Sequence, residues 1–109
     1  MPTILEYLDG QGRSPFGRWV EDLAAPAALK VRSALARLEA GSASALKSVG
    51  AGVHEVRIDF GPGYRVYLGI DGSEFVILLG GSAKARQSAA IADAQDRWND
   101  YRRRKRRGE

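Results

Sequence analysis

The chain has 109 residues, 44% of them apolar and 28% charged, with a formal net charge of +4. This is the length of one domain with one hydrophobic core and the composition of a globular protein, neither disordered nor membrane-spanning. Cysteine is absent and histidine occurs once, which excludes a disulfide framework, a thiolate zinc site and a cysteine nucleophile and leaves little from which to build a transition-metal centre.

The N-terminal MPTILEYLDG has neither a basic n-region nor a signal-peptide core, so the cytoplasm is the expected location. Residues 3–8, rich in Ile, Leu and Tyr, are expected to form a strand ended by Asp9-Gly10-Gln11-Gly12. Ser14-Pro15 pairs an N-cap residue with proline at the first helical position. Phe16, Trp19, Val20 and Leu23 then follow at i, i+3, i+4 and i+7. Pro26 stops this helix and starts a second, in which Ala28, Val31, Leu35 and Leu38 make the apolar stripe and Gly41 is placed to follow the C-cap. The two helices read as a hairpin. The small, polar run GSASALKSVG (41–50) reads as a loop.

Three strands are expected next. Residues 53–60 and 64–70 alternate around Gly61-Pro62-Gly63, and Asp71-Gly72 is a hairpin signal before 74–80. The last of these strands is apolar on both faces, so it should be central or covered on both sides. With 61–63 as the loop, Phe60 faces Tyr64, Ile58 faces Val66 and Val56 faces Leu68. With Asp71-Gly72 as the second turn, Phe75 and Ile77 extend that layer opposite Leu68 and Val66. One face is then apolar, for the helical hairpin, and the other carries Arg57, Arg65 and Tyr67 in the open. After the polar SAKARQ a final helix runs from about Ser88, with Ile91, Ala94, Trp98 and Tyr101 on one face and Asp93/Arg97 and Asp100/Arg104 as i,i+4 pairs. The expected architecture is thus α+β: a small antiparallel sheet (N-terminal strand plus three-stranded meander) on a helical hairpin, with a C-terminal helix. It makes one domain over 1–101, and RRRKRR opens a frayed basic tail, 102–109.

The charge is unevenly placed. Residues 1–83 carry eight Lys/Arg against nine Asp/Glu, and residues 84–109 carry nine against four. Such basic asymmetry suits a polyanionic partner, nucleic acid first; the plain alternative is a solvated tail complementing a helix C-terminus. Arg57 and Arg65 could fork around phosphates while Tyr67 stacks a base; equally, they could pair with Glu55 and Asp59 on a solvated sheet face. Lys84 and Arg86 should reach the same end of the sheet as Arg65, and Lys47 is a further candidate. His54 falls by register on the core-facing side near the sheet edge. It is first a structural residue, yet it is the one side chain whose ordinary pKa suits proton transfer near neutrality. Gly61-Pro62-Gly63 is a hairpin turn and not a phosphate-cradling loop.

The stretches GVHEVRIDFGPGYRVYLG (52–69) and LLGGSAKARQSAAIADA (78–94), with SPFGRWVEDL and VRSALARLEAG upstream, resemble the RelE/ParE toxin superfamily, and within it the HigB-like, phage-derived "addiction module killer protein" group. The resemblance runs to about Trp98. It departs from the group's G-G-D-K-x-x-Q pattern at Gly80-Gly81-Ser82-Ala83-Lys84-Ala85-Arg86-Gln87, and Ala90 stands where an acidic residue is common. It implies a RelE-like fold and a toxin that cleaves mRNA, commonly in the ribosomal A site. It also implies inhibition by a cognate antitoxin, usually a helix-turn-helix, HigA-like protein. No cofactor, metal or membrane is implied. The motif arginines fall on Arg57 and Arg65 and the post-strand lysine on Lys84, with His54, Tyr67 or Lys84 as candidates for proton transfer and Lys47, Tyr67 and Arg86 for substrate contacts. Two rival functions follow: a ParE-like DNA gyrase inhibitor, and a non-enzymatic RNA-binding or phage regulatory protein.

Overall fold

The computed structural model describes residues 2–42 and 46–108. In chain order the elements are β1 (Thr3–Glu6), α1 (Pro15–Glu21), α2 (Ala25–Glu39), β2 (Leu46–Gly50), β3 (Val53–Ile58), β4 (Tyr64–Asp71), β5 (Phe75–Ala83), a 3₁₀ turn (Lys84–Arg86) and α3 (Gln87–Arg106). The fold is α+β. The sheet is five-stranded and mixed, in the order β1-β5-β4-β3-β2, with β1 parallel to β5. An all-antiparallel sheet was expected, so this is one correction. Residues 46–50 are a second: they pair as a strand with β3, Lys47 opposite Glu55, where a loop was expected. Residues 43–45 of that stretch lie outside the described residues.

The helical hairpin is present, but α1 closes at Glu21, ahead of Leu23, and Pro26 opens α2 without being what ends α1. Ser14 Oγ accepts from the Gly17 N–H at 2.9 Å, a cap contributing about 1 kcal/mol. The end of α2 is closed by Gly41 N–H to Leu38 O and Ser42 N–H to Arg37 O, both 3.0 Å, the paired bonds of a Schellman motif. Phe16, Val20, Val31, Leu35 and Leu38 bury against Val56, Val66, Leu68, Val76 and Leu78 on one face of the sheet.

The opposite face is not open. Its cover is α3, whose Ala94 and Trp98, flanked by Ile91 and Tyr101, pack on Tyr7, Val53, Tyr67, Ile77 and Leu79. The Trp98 ring lies so close to the strands that a Cβ on Gly69 would come within 2.4 Å of it. A Cβ on Gly81 would likewise lie 2.3 Å from the Trp19 ring. Glycine is required at both positions because two indoles touch backbone from opposite sides of the sheet. β5, central between β1 and β4, is therefore buried on both faces, as its continuous apolar run demands.

Register differs from the expected pairing. In β3–β4, Ile58 faces Tyr64, Arg57 faces Arg65 and Val56 faces Val66. The reversal uses residues 59–63, and the slip of two residues preserves which side chains share a face. In β4–β5, Leu68 faces Leu78 and Ile70 faces Val76, so Val76 and Leu78 point at the hairpin while Phe75 and Ile77 point at α3, the reverse of the expected sorting. A bulge between Tyr67 and Leu68 then brings Ser82 opposite Arg65 and Ala83 opposite Tyr64. The SAKARQ stretch is accordingly the end of β5 followed by a 3₁₀ turn.

Residues 102–106 continue α3 where a frayed tail was expected. Asp100 holds Arg103 and Arg104, and Asp71 holds Lys105. Arg104 also covers the Tyr7 ring, 5.2 Å from its centroid, and donates to Leu8 O at 2.6 Å. Arg97 donates to Leu79 O at 3.0 Å, which ties α3 to β5. Among the described residues no helix is long and apolar enough to cross a membrane.

Candidate functional site

α3 covers only part of its face of the sheet. Beyond its N-terminus, a row of side chains crosses three strands: Arg57 on β3, Arg65 on β4 and Ser82 on β5, aligned by register. The next row inward is Lys47, Glu55, Tyr67 and Gly80. The β5 bulge delivers the 3₁₀ turn to this corner, where the Lys84 N–H donates to Gly63 O at 2.9 Å. A Cβ placed on Gly63 would lie 3.9 Å from both Arg65 Nη1 and Lys84 Cβ, so the two cationic side chains flank the same turn.

Arg65 is not an open guanidinium. It is 7% exposed, and its Nε lies 2.8 Å from Oε1 of Glu55, which is fully buried. The approach is an ion pair whose Nε–H does not line up on the oxygen, and Glu55 Oε2 has no partner among the described residues. Gln87, the first residue of α3, donates from Nε2 to Glu55 Oε1 at 3.1 Å. Glu55 therefore links strand β4 to the start of α3. A charged pair at such depth is tolerated only when each member keeps the other, because either alone would be an uncompensated buried charge. The expected pairing of Arg65 with Glu55 exists, but it is buried and not solvated.

Tyr67 is fully buried, and its hydroxyl meets Ser82 Oγ at 3.1 Å. Burial, more than the neighbouring Glu55 charge, raises its pKa above 10. It cannot offer a ring for a base to stack on, which corrects the role expected of it. His54 faces Leu68, so its side chain lies on the hairpin side of the sheet, three residues along β3 from Arg57. Its Nδ1 is buried with no partner among the described residues. The structure separates it from Arg57, Arg65 and Lys84.

What remains at the corner is a cluster of exposed cations. Arg57, Lys84, Arg86 and Lys47 are all exposed and have no ion-pair partner among the described residues. The N-terminus of the 20-residue α3 adds the positive end of its dipole at the same place. Facing preformed cations of this kind, a polyanion is held by charge and by the forked donors of arginine. Glu55, Ser82 and Gln87 complete the site and were not singled out as site residues in the sequence. In the sequence Glu55 stands with Val53, Arg57 and Asp59 on the polar face of its strand, so nothing marked it as buried.

The chain matches no protein-family model. It is 40% identical over 81 residues to an uncharacterized protein of Haemophilus influenzae, an alignment that covers 73% of this chain and 82% of that protein. The chain belongs to the same family as that protein. The family membership carries no activity with it.

Proposed function

We propose that the chain is a toxin of the RelE/ParE superfamily, of the HigB-like group, with a RelE-like fold. It would act as an mRNA endoribonuclease on substrate held in the ribosomal A site and be neutralised by a cognate helix-turn-helix antitoxin. The observation that carries this reading is the gathering of Arg57, Arg65, Lys84 and Arg86 around the β3–β4 turn and the first turn of α3.

The chemistry is attack of a ribose 2′-OH on the adjacent phosphate, with the bond to the 5′-oxygen breaking. The exposed Arg57 suits the charge that grows on the phosphorane oxygens, and a preformed donor of this kind contributes about 10² to 10³ in rate; Arg65, 7% exposed and paired with Glu55, holds the strand corner behind it and is not the open phosphate donor expected of it. Arginine cannot take the 2′-OH proton, so that proton passes to water or to a group of the machine that holds the RNA. With His54 on the other side of the sheet and Tyr67 sealed, Lys84 is the exposed group able to carry a proton, and as an ammonium it suits protonation of the leaving 5′-oxygen. A corner so rich in cations and so poor in bases is suited to RNA whose 2′-OH has been aligned by a larger machine.

The same scarcity of bases favours a second reading, RNA binding without cleavage. Induction in a bacterial host separates the two. The toxin reading expects growth arrest and loss of protein synthesis, both relieved by Lys84→Ala or Arg57→Ala, exposed sites whose loss leaves the fold intact. Growth that continues through wild-type induction contradicts it, and arrest with an SOS response and DNA breaks would point to the gyrase-inhibitor alternative.

A further inference from the structure

At the other end of the sheet, a groove of about 740 Å³ runs between the β4–β5 turn and the last turns of α3. Ile70, 42% exposed on the end of β4, lines it together with Trp98 and Tyr101 of α3 and His54 of β3. Its charged rim is helical. Asp71 is already answered by Lys105 and by the Tyr101 hydroxyl at 2.6 Å. Arg102 and Arg106, one helical turn apart, are exposed and have no partner among the described residues. The groove therefore offers an apolar foothold next to two uncompensated guanidinium groups spaced at i,i+4.

We propose that this groove docks an acidic, amphipathic segment of a partner protein, with an apolar side chain against Ile70 and carboxylates on Arg102 and Arg106. The charge complementarity is direct, since arginine forks match carboxylates. Nucleic acid fits less well. The Trp98 ring is 6% exposed, stacked on Tyr101 at 5.2 Å on one side and pressed onto Gly52 and Gly69 on the other, so it has no face left for a base. A phosphate chain would satisfy the arginines and leave Ile70 in water. An acidic helix or strand satisfies both, in the manner of groove-bound amphipathic peptides. The proposal concerns the opposite end of the sheet from the cationic corner and does not depend on the ribonuclease reading.

The test is an NMR titration of the full ¹⁵N-labelled chain. The probe is a synthetic amphipathic peptide with leucine at i, i+3 and i+7 and glutamate on the flanking positions. Its comparators are the same peptide with lysine for glutamate and a uridine oligonucleotide. The acidic peptide should shift the resonances of Ile70, Tyr101, Arg102 and Arg106. Its affinity should fall about tenfold or more in Arg102→Glu/Arg106→Glu, and likewise in Ile70→Asp. All three positions are exposed, so the variants keep the fold, which their unperturbed spectra will show. The proposal is overturned by any of four results: absence of binding at millimolar peptide, shifts centred on Arg57 and Lys84, affinity indifferent to charge reversal, or a stronger response of the groove to the oligonucleotide.

Discussion

Replacing Glu55 with alanine strands the Arg65 guanidinium in a place built for a pair. The two side chains are 0% and 8% exposed with Nε and Oε1 2.8 Å apart, so neither charge is hydrated and each depends on the other. Removing one partner of such a pair costs about 3–5 kcal/mol, because the surviving charge must be buried alone or drag its surroundings toward water. The loss of Gln87's acceptor adds about 1 kcal/mol by releasing the first turn of α3. Urea melts of Glu55→Ala and Arg65→Ala should therefore each show a loss of this size. The double variant Glu55→Leu/Arg65→Met, apolar and similar in volume, should recover most of it, since replacing both partners is often neutral or better. A loss below about 1 kcal/mol in Glu55→Ala, or a double variant as unstable as the sum of the singles, would refute the claim that this pair organises the corner.

Three further expectations follow from the packing and charges. Gly69→Ala places a methyl 2.4 Å from the Trp98 ring, and the rigid indole must move off the sheet; a loss of about 1–3 kcal/mol with a changed near-ultraviolet tryptophan spectrum is expected in thermal or urea melts. Asp100 is held down to about 2, first by the Tyr7 hydroxyl and also by Arg104 and Arg103, against an ordinary value of 3.8. A carboxyl lowered on folding adds stability that is fully present above its unfolded value and disappears as pH falls through its folded one. Stability followed by urea melts should accordingly drop between about pH 4 and 2 in the wild type, and more shallowly in Asp100→Asn. Lys84→Ala should weaken binding of a short RNA and reduce the slope of log affinity against log salt by about 1, read by fluorescence anisotropy, with no change in melting temperature.

Much of the scaffold was legible because its signals are local. Ser14-Pro15, the spacing of Phe16, Trp19 and Val20, and Gly41 act through neighbouring backbone and appear where expected, whereas α1 closes at Glu21 before Leu23, and the β4–β5 reversal runs over 72–74 with Asp71 still paired to Phe75. What was not legible depends on distant partners. Residues 46–50 carry a single β-branched residue, Val49, beside Lys, Ser and Gly, and are held as a strand by pairing with β3. The parallel docking of β1 on β5 leaves no mark in either strand. The three-residue turn 72–74 sets which way Ile77 points, and the bulge opposite Tyr67, one extra residue in β5, decides how Gly81 and Ser82 are sorted and where Lys84 arrives.

The largest discrepancy concerned the supposedly open face of the sheet. Two facts were present in the sequence: β5 is apolar on both sides, and α3 carries the stripe Ile91, Ala94, Trp98, Tyr101. Together they require that α3 cover the second face, and with it Tyr67. Considered strand by strand, Tyr67 appeared exposed beside the arginines. The corner survives as a cationic surface because α3 begins only after Arg86, leaving Arg57, Lys84 and Arg86 beyond its cover.

The most direct test of the proposed activity is a transcriptome-wide map of RNA 5′ ends in cells induced for the wild-type chain and for Arg57→Ala/Lys84→Ala. The account predicts new ends inside translated reading frames, dependent on ongoing translation and absent with the double variant. Transcripts left intact while wild-type cells stop growing would contradict it.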